Sequence, residues 1–250
     1  MSKTRFIPLE LVKHKSIKLK NDPTFSHSRL FNFVNIGFNE IATLSGCMPL
    51  VLVHDEASDV ISLTCCLGFE GFDNVFYHKR QWLGHAVPLS IQCYPFNYSI
   101  DEQRVSVLID ENSTRFTYID DVGAALFSSD GHPTTLLKQQ QENLATLIEG
   151  LKQANAFVDM LKQYDLLAPL SVSITRASGQ IVHSNNLYSV NEEKYAQIEA
   201  DTIVKFHKEG ISMAINAMLL SLRQYNRLVQ LTESFEDPAI RVGIKLNKSM

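Results

Sequence analysis

The chain has 250 residues, of which 45% are hydrophobic and 20% charged, so it can bury a full hydrophobic core without disulfide bonds or structural metals. Its formal net charge of −4 argues against the basic surface with which general nucleic-acid binders neutralise phosphates. No apolar stretch approaches the roughly 20 residues that cross a bilayer, and the start lacks the apolar core of a secretory signal. We therefore expect a cytoplasmic protein with no transmembrane segment and no nucleic-acid partner.

The first half of the chain is predicted to form short β-strands. Compact β-prone runs occur at residues 49–54, 60–67, 74–78 and 104–110, with turn residues between them. Because no long helical pattern separates these runs, they are expected to pair in an antiparallel, curved sheet.

The second half is predicted to be mainly helical. After Pro133, apolar residues recur at steps of three and four, which predicts a long helix that Pro169 would end. Residues 170–175 and 180–190 then have the pattern of a hairpin that turns at Gly179, where glycine can adopt a positive φ.

Two short helices and a second long helix are predicted after this hairpin. Asn191 and Asp201 are expected to cap the short helices, and Gly210 to end the second of them. Ile211 begins an apolar pattern typical of a long helix. Residues 236–250 are polar and basic, which predicts a loose tail.

Together these elements predict an α+β fold, in which a curved, mainly antiparallel sheet from the N-terminal half packs against helices of the C-terminal half. We expect a single domain over residues 1–235, β-rich over 1–125 and mainly helical over 126–235. The apolar faces of the two long helices could also join copies of the chain in a homo-oligomer.

The cysteines and histidines show no metal-binding pattern. No Cys-x-x-Cys spacing joins the four cysteines, which are Cys47, Cys65, Cys66 and Cys93. We expect them to be reduced, partly buried thiols. His78 and His85 lie near each other in sequence, but the pattern specifies no third ligand, so no metal site is predicted.

Two acidic segments contain the candidate catalytic residues. Asp110 and Glu111 end a predicted strand, whereas Asp130 and His132 precede the long helix. Carboxylates held close together can separate their pKa values and act as acid and base. The same residue types also cap turns and helix starts, and no recognisable catalytic motif surrounds them. Whether the chain is an enzyme of unfamiliar type, and which cofactor it would use, stays open on these residues.

Trp82, His85, Tyr94 and Phe96 are the candidate ligand-binding residues. They lie in one short segment that holds the single tryptophan of the chain and a Tyr-Pro-Phe triplet. Aromatic side chains supply large apolar areas with few rotatable bonds, so the segment is suited to the wall of a pocket for a peptide, a protein segment or a small molecule. The same residues could instead form a core cluster.

A series of motifs occurs in order along nearly the whole chain. They are W-L-G-x-x-V-P at 82–88, Y-P-F at 94–96, V-L-I-D-E at 107–111, L-F-x-x-D-G-x-P-T at 126–134, D-L-L-x-P-L at 165–170, Y-S-V-N-E-E-K at 188–194 and L-L-S-L-R at 219–223. With these motifs the chain resembles the bacterial SapC family, which is named from a surface-layer protein secretion locus.

The resemblance implies a soluble accessory protein associated with the export or assembly of cell-surface proteins. Members also look to be encoded near TonB-dependent receptors, which implies a role in uptake instead. It implies no catalytic residues. Two positions depart from the expected pattern, with Cys93 in place of an arginine and Met48 in place of a tyrosine. The first departure removes a cation that could have held an anion.

Overall fold

The computed structural model describes residues 4–101, 104–119 and 121–247. The strands are β1 (Phe6–Pro8), β2 (Lys18–Leu19), β3 (Phe33–Asn35), β4 (Leu50–Asp55), β5 (Val60–Cys66), β6 (Tyr77–His78), β7 (Gln81–Trp82), β8 (Phe96–Asp101), β9 (Arg104–Asp110), β10 (Phe116–Thr117), β11 (Ala124–Ala125), β12 (Leu167–Arg176), β13 (Ile181–Val190) and β14 (Ala239–Leu246). The α-helices are α1 (Leu11–His14), α2 (Ile41–Leu44), α3 (Leu89–Gln92), α4 (Thr135–Gln163), α5 (Glu192–Ala196), α6 (Ala200–Lys208), α7 (Ile211–Ser221) and α8 (Tyr225–Leu231). Short 3-10 turns lie at Ser26–Ser28, Phe38–Glu40 and Leu222–Gln224.

The main sheet has six strands in the order β14-β12-β13-β4-β5-β3, and every neighbouring pair is antiparallel. Alternate residues of β12 are buried, as expected for a strand with one face on the core. The residues on that face are Ala168, Leu170, Val172 and Ile174. The predicted α+β class with an antiparallel sheet is therefore confirmed, although three of the six strands come from the second half of the chain.

Two three-stranded sheets lie outside the main one, and β6 pairs with β7 in a separate two-stranded sheet. One has the order β1-β9-β8 and the other β10-β2-β11, and all of their strand pairs are antiparallel. We call the sheet β1-β9-β8 the small sheet. Buried residues of these elements form a second hydrophobic core that includes Leu19, Phe96 and Ile109.

Helix α4 belongs to both cores. Its first half places Leu137, Leu144 and Leu147 in the second core. Its second half places further apolar side chains in the main core, namely Ala154, Phe157, Val158 and Leu161. The apolar stripes of α4 and α7 are thus largely buried within the chain, and the predicted use of these faces in an oligomer stays a prediction.

The predicted end of this helix at Pro169 is wrong. Helix α4 ends at Gln163, and Asp165 adopts a left-handed conformation with φ of 54°. The N–H groups of Asp165 and Leu166 donate back to the carbonyls of Lys162 and Leu161 at 3.0 and 2.8 Å, which closes the last turn. Pro169 lies within β12 instead, where it is paired with Tyr188.

The start of α4 is also shifted from the prediction. Thr134 is the N-cap residue, and its hydroxyl accepts the Leu137 N–H at 3.4 Å. Pro133 therefore precedes the helix. Asp201 likewise lies in the first turn of α6, and the N-cap position is Glu199, whose side chain makes no capping hydrogen bond. Asn191 caps α5 as predicted. Gly179 has the expected positive φ, 86°.

The predicted strand at 74–78 is shorter than expected. Only β6 is extended, because Asn74 forms a turn in which its side-chain oxygen accepts the Phe76 N–H at 3.0 Å. The second long helix likewise changes to a 3-10 turn after Ser221 and continues as α8.

The predicted loose tail at 236–250 is contradicted by β14, which forms an edge of the main sheet. Val242, Ile244 and Leu246 are paired with apolar residues of β12, and this pairing explains why the segment is ordered as a strand. Residues 248–250 lie outside the described residues. Among the helices described, none has the length and apolar character needed to cross a membrane.

Gly150 lies where α4 crosses the 3-10 turn Phe38–Glu40. A Cβ atom at Gly150 would lie 3.0 Å from the Cα of Gly37 and would overlap the side chain of Asn39. The two backbones are therefore in direct contact, and α4 tolerates glycine here because a larger residue would push the turn away.

We expect Gly150→Ala to lower the free energy of unfolding by about 1–3 kcal/mol, because overpacking at a backbone contact outweighs the gain of up to about 1 kcal/mol in helix propensity. Urea unfolding measures the change. Lys152→Ala, on the exposed face of the same helix, replaces one good helix former with another. It is the control and should change stability by less than about 0.5 kcal/mol. Stabilisation by Gly150→Ala would show that the contact is loose.

Candidate functional site

A cavity of about 470 Å³ lies between the first half of α4, the small sheet and the segment that follows the 3-10 turn Ser26–Ser28. We call it the apolar cavity. Its lining includes Phe6, Leu30, Phe31, Tyr94, Phe96 and Leu147. Phe96 and Leu147 are buried in the second core, so they form the inner part of the cavity.

The mouth of the apolar cavity carries exposed apolar side chains. Phe6, Leu30 and Phe31 keep 37%, 51% and 42% of their surface exposed. Single exposed apolar residues are normal, but several of them around one concavity are typical of an interaction site. The arrangement therefore suits an apolar ligand.

A second cavity of about 460 Å³ adjoins the first, and we call it the polar cavity. Its lining includes Asp22, Arg29, Tyr77, Asp110, Thr114 and Arg115. Both cavities are also lined by Thr4, His27, Leu30 and Tyr94. The two cavities thus share a wall, formed by His27 and Tyr94, and a rim, formed by Thr4 and Leu30.

The shared wall consists of the stacked rings of His27 and Tyr94, whose centroids are 4.2 Å apart. Both ring nitrogens of His27 are buried and have no hydrogen-bond partner among the described residues. The nearby backbone of Ile91 favours the charged imidazole, but this effect is smaller than that of burial. Burial, reinforced by the charge of Arg115, lowers the pKa of His27 to about 4. The imidazole is therefore neutral at pH 7.

Asp110 joins Tyr94 to the small sheet. Its buried carboxylate accepts the backbone N–H groups of Arg5 and Asn112 at 3.0 and 3.2 Å and the Tyr94 hydroxyl at 2.9 Å. Burial, together with this carboxylate, raises the pKa of Tyr94, despite an opposing contact with Ser113. Because Asp110 accepts hydrogen bonds from two backbone N–H groups and one side chain, we assign it a structural role.

The predicted catalytic residues lie in two segments, each with its own local contacts. Glu111 pairs with Arg5 at 2.6 Å beside Asp110. Asp130 and His132 lie in an exposed turn before α4, with Oδ2 and Nε2 3.8 Å apart. No hydrogen bond or ion pair in the described chain links this turn to Asp110 or Glu111. Their catalytic role therefore stays a prediction.

Two of the four predicted ligand-binding residues line a cavity, and the other two do not. Tyr94 and Phe96 line the apolar cavity. Trp82 packs against Phe25 and Phe76, with ring centroids 5.7 and 5.8 Å away, and its indole N–H donates to the Ala86 carbonyl at 3.0 Å. His85 is exposed. Neither Trp82 nor His85 belongs to the lining of the two cavities, so their binding role stays a prediction.

Sequence reasoning missed His27, Leu30, Phe31 and Arg115. The only indication was the local density of aromatic residues between Phe25 and Phe33. The contact of this segment with Tyr94 joins residues that are distant in sequence, so the spacing of neighbouring residues does not predict it.

The cysteines do not add a reactive group. All four are free and buried, and Cys93 lines the apolar cavity. Burial raises the pKa of the Cys93 thiol to about 12, so it is neutral and weakly nucleophilic at pH 7. Within the described ranges, no group of three or more His, Cys, Asp or Glu side chains is arranged to hold a metal ion.

We expect Asp110→Asn to lower the free energy of unfolding by about 1–3 kcal/mol, because an amide cannot accept from all three donors that meet the carboxylate. Asp130→Asn, in the exposed turn, should cost less than about 0.5 kcal/mol. Denaturant unfolding of the two variants tests this difference. Equal and small effects would contradict the structural role of Asp110.

The neutral His27 predicts a pH-dependent stability. The unfolded chain binds a proton below about pH 6.5, whereas the folded chain resists protonation until about pH 4. The contribution of neutral His27 to the free energy of unfolding is therefore fully present above pH 6.5. As the pH falls from 6.5 to 4, this contribution decreases by up to about 3 kcal/mol. His27→Phe keeps a ring against Tyr94 and should flatten this part of the stability curve, measured by unfolding between pH 4 and 7.5. A wild-type slope retained in His27→Phe would refute the assignment.

Comparison with known proteins identifies a family but no near relative. No curated protein and no solved structure matches the chain significantly. The family model of SapC matches residues 9–228, which include β8 and β9 of the small sheet, the main sheet up to β13, and both residues of the shared wall. Because this match covers most of the chain, the protein belongs to the SapC family.

Proposed function

We propose that the protein is a non-catalytic binding protein that holds an apolar ligand in the apolar cavity. The observation that carries the proposal is the group of exposed apolar side chains at the mouth of a cavity of about 470 Å³, namely Phe6, Leu30 and Phe31. A cavity of this volume falls in the range of small-molecule sites, about 300–1,000 Å³. Covering these side chains with an apolar ligand removes their surface from water, which favours binding.

The polar groups near the cavity support binding rather than catalysis. The Asp110 carboxylate is occupied by three donors, and the Cys93 thiol is neutral because burial raises its pKa to about 12. Both ring nitrogens of His27 are buried, so they cannot reach a ligand without movement of the ring. For the alternative of an acid–base enzyme, no hydrogen bond or ion pair among the described residues joins Asp110 or Glu111 to Asp130 or His132.

Family membership supports an accessory role for this binding. The SapC name refers to a surface-layer protein secretion locus, and we propose that the protein is a soluble, cytoplasmic accessory factor for cell-surface export or assembly, or for TonB-linked uptake. The ligand would then be an apolar peptide segment or a small molecule. Tyr94 and Phe96 are the aromatic residues proposed to contact it.

We expect the neutral fluorescent probe N-phenyl-1-naphthylamine to bind saturably at a single site. Leu30→Ser should raise its Kd about fivefold, because contact with half of a leucine side chain is worth roughly 1 kcal/mol and 1.4 kcal/mol corresponds to a factor of ten. Fluorescence titration gives both constants.

Leu220→Ser is the matched control, because Leu220 is also exposed, at 62%, but lies on α7 and lines neither cavity. Its Kd should equal that of the unsubstituted protein. Absence of saturable binding, or equal weakening by the two substitutions, would overturn the proposed function.

A further inference from the structure

Arg115 lines the polar cavity with part of its hydrogen-bonding capacity unused. Its guanidinium donates from Nη1 to the Tyr94 carbonyl and from Nε to the Lys20 carbonyl, the latter at 3.4 Å. A guanidinium has five N–H donors. Among the described residues, no carboxylate lies within ion-pair distance of it. This half-buried cation therefore keeps donors and charge for another partner.

The carboxylates of the same cavity are already occupied. Asp22 accepts the backbone N–H groups of Thr24 and Ser26 at 3.0 and 3.1 Å, as well as the Ser26 hydroxyl at 2.8 Å. Asp110 accepts from its three donors. Burial disfavours the charged form of Arg115 and lowers its pKa, and the charge of Asp22 offsets only part of that effect. An anion in the polar cavity would supply the missing partner.

The shared rim allows one ligand to use both cavities. The two cavities lie on either side of the wall formed by His27 and Tyr94, and Thr4 and Leu30 line both of them. A molecule with an apolar body and a charged end could cross this rim without passing through the protein interior. We propose that the ligand is an amphipathic carboxylic acid whose carboxylate binds Arg115 and whose apolar body occupies the apolar cavity. This inference rests on the proposed function.

A carboxylate fits the polar cavity better than a phosphate does. The planar guanidinium can bind a carboxylate through two parallel hydrogen bonds. Asp22 and Asp110 also line the cavity, so a dianion would meet stronger repulsion than a monoanion. At the position where the family resemblance leads us to expect an arginine, Cys93 lies on the apolar cavity and supplies no cation. We assign the anion to Arg115, between β9 and β10.

The test compares an acid with its neutral isostere. Calorimetry at pH 7 is expected to show that 3-phenylpropionate binds about tenfold more tightly than 3-phenylpropanamide, as one charge-assisted contact provides. Arg115→Gln should abolish this preference and leave the affinity for the amide within about threefold. Arg5→Gln removes an arginine from the same region but from neither cavity lining, and it should retain the preference.

Thr114 offers a second variant that does not depend on the contacts of Arg115. Thr114 is exposed and lines the polar cavity, so Thr114→Glu should fold, place a competing carboxylate near Arg115 and remove the preference for the acid. Thr114→Gln is its uncharged control and should retain it. Equal binding of acid and amide by the unsubstituted protein, or a preference that survives both Arg115→Gln and Thr114→Glu, would overturn the inference.

A second pair of probes distinguishes the source of the carboxylate. Acetyl-alanyl-phenylalanine presents a peptide carboxyl terminus, and its C-terminal amide is the control. Tighter binding of this acid than of 3-phenylpropionate assigns the site to peptide ends, and weaker binding assigns it to small acids. If N-phenyl-1-naphthylamine binds while acids show no advantage, the inference fails and the proposed function stands; if no probe binds, both fail.

Discussion

One helix is part of both hydrophobic cores, and the geometry around the cavities depends on it. The second half of α4 packs into the main core and its first half into the second core, with Gly150 between them against the backbone of Gly37. Because the 29 residues of α4 form one continuous helix, the close contact at Gly150 helps to position its first half relative to the small sheet. The apolar cavity is the space left between them.

Buried carboxylates hold the segments that surround this space. Glu40 accepts the backbone N–H groups of Gly37 and Leu89 at 2.8 and 2.7 Å, and thereby joins the turn beneath α4 to the start of α3. Burial raises the pKa of Glu40, although these two hydrogen bonds favour its charged form. Asp110 holds β1 and Tyr94 in the same way. In a low-dielectric interior such contacts are strong, and Arg115 and Arg29 are the cations that line the polar cavity beside them.

Much of the fold could be predicted because its signals are local. Runs of β-prone residues indicated β4, β5 and β9, and Gly179 and Asn191 acted through a turn and a cap that span only a few residues. The errors arose where a partner distant in sequence overruled the local signal. Pro169 is accommodated inside β12, and the basic segment of β14 becomes a strand because β12 offers apolar residues opposite its inward side chains.

The candidate site was predictable only in part. The aromatic segment indicated Tyr94 and Phe96, but nothing in its spacing separates them from Trp82, which packs on the main core instead. The sequence by itself determined the α+β class, the long helix α4, the hairpin of β12 and β13, and the SapC family. These signals could be read because periodicity, caps and motifs depend on neighbouring residues. Only the tertiary structure decided that His27, Leu30 and Arg115 meet Tyr94 at two adjoining cavities. Ring stacking and hydrogen bonds between distant segments depend on how the cores bring those segments together, and they leave no periodic pattern in the chain.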